Sequence, residues 1–389
     1  MSLTVSDAYK LKSLQNVTIL TGQSGFQNVI NRMSILDYEF ISYKMQGEFI
    51  KNDFVLSSFL FAKDDINLLI AAVKTLIDSG VACLGIKNVY YKELPEDLIS
   101  YAKQKSFSIF LFGYDIYFED IITEVTDTLR LIDKNQLLEM KVDNLIGNEL
   151  SRSLVRELAL DINSHFKERF IVIYCKTLKH ADEGTHFRTL DRLKNLDYFK
   201  EEDSIFKYKQ GMLVILTFHD EDEKKINLKK VTQEFYFRTS LIPDDYLLGV
   251  SDCLQALHQL DKGIQQSLYA CKVCEIQQSH QKRFDEIGLY KVILPFQNSF
   301  WLNYYYKSIL SPLEQYDKKY SADLLRTATS YVSNDGSIKK TAEALFQHEN
   351  TIRYRLAKIR SLLSMEGDNH SFYPQLSIAV QIYQLETFV

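Results

Sequence analysis

The chain of 389 residues has little proline and glycine, with five and 14 respectively. It contains no run of about 18 apolar residues, and no positively charged N-terminal segment precedes an apolar stretch. These shortages argue against long flexible linkers, a membrane span and a signal peptide. The five cysteines are scattered and odd in number, which is typical of reduced thiols. We therefore expect a cytoplasmic protein that has no membrane partner.

The composition is that of a globular protein with sizeable cores, because 46% of the residues are hydrophobic and 25% are charged. The length predicts two to three domains. The formal net charge is −5, so a local excess of positive charge stands out against it.

The most informative segment lies between Ser337 and Leu363. Two short stretches, joined by a few residues, carry apolar side chains at helical spacing. In the first these are Ile338, Ala342 and Leu345, and in the second Ile352, Leu356, Ile359 and Leu363. The opposite face of the second helix carries polar, cationic and aromatic residues: Asn350, Arg353, Tyr354, Ala357 and Lys358. This pattern suits a helix that enters the major groove of DNA.

Charge helps to decide between two interpretations of this segment. The alternative is an ordinary helical hairpin with a solvated basic face. Between residues 337 and 363, however, six lysines and arginines face only two glutamates, an excess of about four positive charges on an acidic chain. Such a local basic patch favours contact with nucleic acid.

The run Thr341-Ala-Glu-Ala-Leu345, followed by His348-Glu-Asn-Thr-Ile-Arg-Tyr-Arg-Leu356 and Ile359, resembles the DNA-binding domain of the PucR/CdaR family of bacterial transcription regulators. Glu349 departs from the family, which usually has arginine there. The resemblance implies a helix-turn-helix that binds DNA through Lys339, Lys340, His348, Asn350, Thr351, Arg353, Tyr354, Arg355 and Lys358. We assign base contacts to Asn350, Arg353 and Tyr354, and phosphate contacts to Thr351 and the three lysines.

Residues 1–118 predict an α/β domain whose strands pair at least partly in parallel. Strand-like runs at 17–20, 54–58, 81–86 and 107–112 alternate with helical patterns from Ile66 and Pro95. The segments 47–58, 80–87 and 94–98 resemble the N-terminal domain of the same family, which implies a sensory or assembly role. Asp53, Ser57 and Ser58 are candidate effector-binding residues, although turn and strand-edge roles are an alternative.

Residues 119–168 contain Gly147 as almost the only helix breaker, and predict a long helix. Ile122, Val125, Leu129 and Ile132 follow the 4-3 apolar spacing of a coiled coil or bundle. A connector packed on its own chain and a dimerising helix pair both fit this pattern. We favour dimerisation because helix-turn-helix proteins commonly bind two half-sites as dimers.

Residues 169–296 predict an α+β domain, with strands at 169–174, 205–209, 211–218 and 247–250, a helical run from Lys224, and a helix at 264–276. The family resemblance places a degenerate diguanylate-cyclase-like domain here. The cyclase's Gly-Gly-acid-acid-aromatic signature is absent from the sequence, so we predict no enzyme activity. Residues 297–389 would then form an all-α domain, with supporting helices around the helix-turn-helix.

Metal binding is not predicted. Cys271 and Cys274 have the spacing of a redox pair or of half a zinc site, but they lie in a helical pattern without a second ligand pair, so core thiols are the better interpretation. His219 precedes an acidic run at 220–223 that we interpret as a solvated loop. No cofactor is expected.

We interpret the chain as a sequence-specific DNA-binding transcriptional regulator that responds to a small metabolite. Its expected partners are promoter or operator double-stranded DNA, an unknown effector, and further copies of itself in a homodimer or higher homo-oligomer. By the resemblance, its targets would be genes of purine or nitrogen catabolism, or of sugar-acid use. A protein-interaction or signalling module is the alternative, and an enzyme that acts on nucleotides in the central domain is a less favoured one.

Overall fold

The computed structural model describes residues 2–37, 49–178, 183–219, 227–241, 243–366 and 370–387. By its internal contacts the chain divides into two compact units. The first comprises residues 1–148, 179–199 and 205–212, and the second comprises 149–178, 200–204 and 213–389.

The first unit contains a five-stranded sheet in the order β2-β7-β6-β5-β4. β4, β5, β6 and β7 run parallel to one another, and β2 joins β7 antiparallel. The strands and their crossover helices are β2 (Thr18–Ile19), β4 (Arg32–Ile35), β5 (Asp53–Ser57), α2 (Ile66–Asp78), β6 (Cys83–Lys87), α3 (Glu96–Gln104) and β7 (Ser108–Phe112). The predicted α/β layer with partly parallel pairing is confirmed. Its apolar core includes Leu69, Leu84 and Ile109.

The N-terminal residues add a small two-stranded sheet of β1 (Leu3–Thr4) and β3 (Val29–Ile30), with the short helix α1 (Val5–Ala8) between them. The long helix α4 (Phe118–Gly147) follows the first sheet. Its buried positions are spaced at three, four or seven residues and so lie on one face: Ile121, Val125, Ile132, Asn135, Val142 and Leu145. The first unit also contains α6 (Glu183–Lys194) and all but the first residue of β9 (Ser204–Tyr208).

α4 packs along part of its length on its own chain. The buried amide of Asn135 accepts a hydrogen bond from the backbone N–H of Lys207 at 3.3 Å, and its own N–H₂ donates to the carbonyl of Leu131 at 2.7 Å. The Tyr208 hydroxyl donates to Asp143 at 2.7 Å. These contacts are those of the packed connector, one of the two interpretations of this segment, while dimerisation through α4 stays a prediction.

The second mixed sheet has the strand order β12-β11-β8-β10-β9. Its central strands β8 (Arg169–Thr177) and β11 (Tyr246–Val250) pair antiparallel, and β12 (Gln281–Arg283) pairs parallel with β11. The remaining elements are α5 (Arg152–Ile162), β10 (Gly211–Phe218), α7 (Leu228–Thr239) and α8 (Leu260–Ile276). The predicted helix start at Lys224 and the acidic run at 220–223 lie outside the described residues.

α8 lies against β8 and β11. At Gly249 of β11, an added Cβ atom would meet the backbone of Ser267 and Cys271 at about 2 Å, so glycine permits this close approach. Cys271 and Cys274 are buried, and their thiols donate to the carbonyls of Leu247 and Leu248. Burial raises the pKa of Cys274 to about 12, so the thiol stays protonated at neutral pH.

The C-terminal region is helical: α9 (Tyr290–Ile293), α10 (Phe300–Tyr320), α11 (Leu324–Ser333), α12 (Ile338–Leu345), α13 (Glu349–Leu362) and α14 (Phe372–Thr387). Together with the two sheets, this agrees with the predicted α/β multidomain class with an all-α C-terminus. No helix among the described residues is long and apolar enough to cross a membrane. Those residues also contain no cluster of three or more His, Cys, Asp or Glu side chains that could hold a metal ion.

Candidate nucleic-acid interface

α12 begins at a side-chain cap. The hydroxyl of Ser337 accepts a hydrogen bond from the backbone N–H of Lys340 at 3.3 Å, which satisfies one of the free donors of the first turn. Thr341 is fully buried, and its hydroxyl donates to the carbonyl of Ser337 at 2.7 Å. One face of the helix is thereby fixed against the domain, while Lys339 and Lys340 on the other face are exposed.

A three-residue turn joins α12 to α13. Phe346 has a left-handed backbone conformation with φ of 52°, and the N–H of Gln347 donates to the carbonyl of Ala342 at 2.9 Å. These features form a Schellman cap, in which glycine is the usual left-handed residue. His348 then caps α13, because its Nδ1 accepts from the backbone N–H of Asn350 at 3.2 Å.

α13 is held from behind by apolar side chains. Ile352 and Ile359 are fully buried and Leu356 nearly so. They share a buried cluster with Leu310 of α10 and Leu376 of α14. The apolar face predicted from the sequence is therefore the face that packs on the supporting helices.

The opposite face of α13 is open to solvent. Asn350, Arg353, Tyr354 and Ala357 are all exposed, and Tyr354 is 72% exposed. Because they are three and four residues apart, their side chains lie along one side of the helix. The surface needed for base contacts is therefore accessible, although each individual contact stays a prediction.

Glu349 and Arg353 form an ion pair on this surface. Arg353 Nη2 lies 3.3 Å from Glu349 Oε2, one helical turn away, and both side chains are partly exposed. An exposed pair with this spacing contributes only about 0.3–0.5 kcal/mol. Arg353 can therefore leave Glu349 for a base at little cost. The Glu349 carboxylate thus lies beside Arg353 on this surface.

The other predicted contact residues lie around this face. Lys358 is half-buried, and its Nζ lies 4.9 Å from the centre of the Tyr316 ring on α10. Thr351 is half-buried at the N-terminal end of α13, where backbone N–H groups can bind a phosphate. His348 is exposed, although its Nδ1 is already engaged in the cap.

Arg355 is placed differently. Its side chain is only 17% exposed and points to the supporting helix α11. Nη1 donates to the hydroxyl of Thr327 at 3.2 Å, and Nη2 lies 3.4 Å from Asp323 Oδ2. These bonds favour a role in joining α13 to α11. The predicted DNA contact of Arg355 is not tested by them.

Arg355→Ala should lower the free energy of unfolding of the helix-turn-helix by about 1 kcal/mol, because two hydrogen bonds to α11 are lost. Hydrogen exchange of the α13 amides in the full chain checks this. Affinities for specific and unrelated DNA should fall by the same factor. A selective loss for the specific site, with stability unchanged, would instead assign Arg355 to base recognition.

The candidate effector residues of the N-terminal domain are mostly engaged in internal bonds. The buried carboxylate of Asp53 accepts from the guanidinium of Arg32 at 2.6 and 3.1 Å and from the hydroxyl of Ser34 at 2.9 Å. The buried hydroxyl of Ser57 donates to Leu36 and accepts from Phe59. These bonds stabilise the start and end of β5. Ser58 is half-buried, and an effector role for the three residues stays a prediction.

Sequence reasoning missed one residue of this surface. Phe346 is 91% exposed in the turn between the two helices. An apolar ring at this position is a candidate for contact with a sugar or with the methyl group of thymine. Its left-handed conformation could not be inferred, because the pattern that signals this cap normally ends in glycine.

The short helix, the tight turn and the longer helix with its exposed polar face define a helix-turn-helix protein. Comparison with known families agrees with this class. Residues 324–382 match the PucR C-terminal helix-turn-helix domain, and residues 7–129 match the purine catabolism regulatory protein-like family, PucR. The chain thus has regions similar to both the N-terminal domain and the C-terminal helix-turn-helix of the PucR family.

Two curated relatives, both from Bacillus subtilis (strain 168), are similar to parts of this chain. The proline-responsive transcriptional activator PutR is 27% identical over 247 residues, which cover 59% of this chain and 58% of PutR. The DNA-binding transcriptional activator AdeR is 22% identical over 176 residues, 43% of this chain and 42% of AdeR. The chain thus spans about half the length of the curated relatives it matches.

A crystal structure of a regulator of polyketide synthase expression from Bifidobacterium adolescentis is 14% identical. The match covers 63% of this chain and 98% of that chain. Its TM-score is 0.28, which is too low to support any conclusion about the fold.

Proposed function

We propose that this chain is a sequence-specific transcriptional activator that binds double-stranded DNA through α12 and α13. The observation that carries the proposal is the exposure of Asn350, Arg353 and Tyr354 on a helix whose opposite face is fully packed. Arginine and asparagine on such a surface can make paired hydrogen bonds to guanine and adenine. The exposed lysines of α12 supply positive charge for the phosphate backbone.

In this proposal the chain acts as a homodimer or higher homo-oligomer and responds to a small metabolite. Dimerisation follows from the need of helix-turn-helix proteins to occupy two half-sites. An effector can change DNA affinity only if it binds the DNA-competent state with a different affinity from the other state. Because PutR is named as responsive to proline, proline is the first effector to test. Purine breakdown products and sugar acids follow from the family resemblance.

Binding of the full chain to the DNA upstream of its own gene and of neighbouring genes tests the proposal. We expect the upstream fragment to bind more tightly than a scrambled fragment of equal length, because base contacts discriminate between them. The logarithm of the affinity should fall linearly with the logarithm of salt concentration, with a slope of about −0.9 per phosphate neutralised. Fluorescence anisotropy over a salt series gives both quantities.

The protein-interaction alternative makes a different prediction. If the C-terminal helices bind a protein partner, the two fragments would bind equally weakly over the whole salt series. That result, obtained with neighbouring-gene fragments as well as the chain's own, would contradict the proposed function.

A further inference from the structure

Exposed apolar residues are concentrated on the second unit where α9 leads into α10. Trp301 is 73% exposed, and the exposure of the other members ranges from 47% to 68%. We define the aromatic patch as Leu289, Val292, Phe296, Phe300, Trp301 and Tyr304. The last three form one ring surface, because the centroid of Phe300 lies 5.3 Å from that of Trp301 and 6.1 Å from that of Tyr304.

The patch is presented by a helix whose other face is anchored. Leu302, Tyr305 and Tyr306 of α10 pack against a buried cluster that contains Ile293 of α9 and Ile382 of α14. The inner face of α10 is therefore occupied by these packed residues, and the residues of the patch lie on its outer face. Their exposure follows from the fold and not from a loose segment.

None of the six residues of the patch is charged, although the exposed Lys307 borders the patch one helical turn after Tyr304. From Gly288 to Tyr306 the sequence has one charged residue, Lys291, whose Nζ lies 5.5 Å from the centre of the Phe284 ring. In a two-fold contact each surface meets a copy of itself, so like charges would oppose one another. A neutral aromatic surface avoids that repulsion and suits pairing with a second copy.

The area of the patch is close to what such a contact requires. Four aromatic side chains of ~150–250 Å² each, about two-thirds exposed, together with Leu289 and Val292 give roughly 600 Å² of apolar surface. A standard stable interface buries about 800 Å² on each partner, and the largest apolar patch of a typical monomer is about 300–600 Å² and often functional. A rim of polar residues would supply the difference.

The position of the patch also fits two half-sites. Lys358 of α13 contacts Tyr316 on α10, 15 residues from Trp301, which is about 22 Å along the helix axis. A two-fold axis through the patch would therefore separate the two copies of Tyr316 by about 45 Å if it were perpendicular to α10, and by less if it were tilted. That range includes the ~34–36 Å that separates half-sites one turn apart on DNA. This step rests on the proposed function, whereas the charge and area arguments do not.

We propose that the aromatic patch is the surface through which two copies of this chain pair, with Trp301 at its centre. Sedimentation velocity of the full chain without DNA tests this. Wild-type protein should be dimeric at micromolar concentration, and Trp301→Glu should weaken the dimer at least tenfold, because a carboxylate would be buried at the two-fold contact. The substitution should leave the fold intact, since Trp301 is largely exposed.

Phe237→Glu is the matched control. Phe237 lies on α7 outside the patch and is 81% exposed, so its replacement adds the same charge without touching the proposed contact. This control should remain dimeric. Wild-type protein that sediments as a monomer overturns the inference, as does a dimer that Trp301→Glu leaves intact. Loss of the dimer only on joint replacement of the exposed Leu137 and Met140 by glutamate would assign pairing to α4 and overturn it too.

A cross-linking experiment gives a second measurement that does not depend on weakened association. With Cys253 replaced by serine, the remaining native cysteines are buried. Trp301→Cys should then form a covalent dimer through its introduced thiols, and Phe237→Cys should not. Covalent dimer from the control alone contradicts the proposal.

Failure of this inference and failure of the proposed function are distinguishable. Specific DNA binding by a chain whose dimer is insensitive to Trp301→Glu would overturn the patch and leave the function standing. Pairing through the patch without any DNA binding would overturn the proposed function and leave the patch standing.

Discussion

Replacing Arg353 by alanine should weaken binding to the specific DNA site by about 1–3 kcal/mol, or about 5- to 150-fold. Arg353 is exposed on the open face of α13, one turn after its N-terminus, where recognition helices contact base edges. If its guanidinium donates two hydrogen bonds to guanine, alanine removes both and leaves the base acceptors unpaired. Anisotropy titrations of the upstream fragment at fixed salt measure the loss.

Two controls separate base recognition from simple loss of charge. Arg353→Lys keeps the positive charge but not the planar fork, so most of the specific affinity should still be lost. Lys339→Ala removes an exposed cation from α12, and should weaken specific and scrambled DNA by similar factors. Equal losses on the two fragments for Arg353→Ala would show that this residue contacts only phosphate.

The ion pair with Glu349 lowers the net DNA affinity that Arg353 contributes, and so the loss expected for Arg353→Ala. In the free chain Arg353 is paired with Glu349, and the pair must open for guanine to be bound. A double-mutant cycle of DNA affinities with Glu349→Ala and Arg353→Ala isolates the free energy of opening the pair, because the two side chains are in direct contact. We expect a coupling of no more than about 0.5 kcal/mol for such an exposed pair.

The sequence predicted well those elements whose periodicity is local. Strands at 54–58 and 107–112 and the helix from Ile66 lie within one or two residues of β5, β7 and α2, because buried parallel strands read as short apolar runs. The cap at Ser337 was also predictable, since a serine before an apolar helical pattern is a local signal. The order of the strands depends on long-range pairing and was not predicted.

The long helical stretch shows where local reasoning failed. The apolar spacing predicted from the sequence ends at Ile132, yet Asn135 continues the seam as a buried residue. Its amide is satisfied by the backbone of β9, a partner about 70 residues away that no spacing rule identifies. The segment also contains two helices, because the chain is extended at Asn148 and α5 begins after Ser151.

The candidate site also contains residues that local periodicity predicts and residues whose placement depends on distant partners. The exposed positions Asn350, Arg353 and Tyr354 followed from helical periodicity alone. The inward direction of Arg355 did not, because it depends on Thr327 and Asp323 on another helix. Asp53 and Ser57 were chosen as polar residues near a strand end, and their bonding partners come from β4 and the loops beside it.

Ile359→Ala should destabilise the helix-turn-helix by about 2–5 kcal/mol. Ile359 is fully buried in the cluster beneath α13, so truncation removes apolar contacts and leaves a cavity in that cluster. Alanine favours helix formation, so the loss cannot be attributed to the backbone. Hydrogen exchange of the α13 amides measures the free energy of local opening directly, which matters because a chain with several domains need not unfold in one step.

Tyr354→Ala is the matched substitution on the opposite face of the same helix. Because Tyr354 is largely exposed, its loss should change the opening free energy by no more than about 0.5 kcal/mol. It should nevertheless weaken DNA binding, whereas Ile359→Ala at low temperature should retain affinity in proportion to the folded fraction. This opposite behaviour of two residues on one helix distinguishes residues that stabilise α13 from residues that contact DNA. If Tyr354→Ala opened α13 as readily as Ile359→Ala, the outer face would be a packing surface, and the case for a DNA-reading helix would fail.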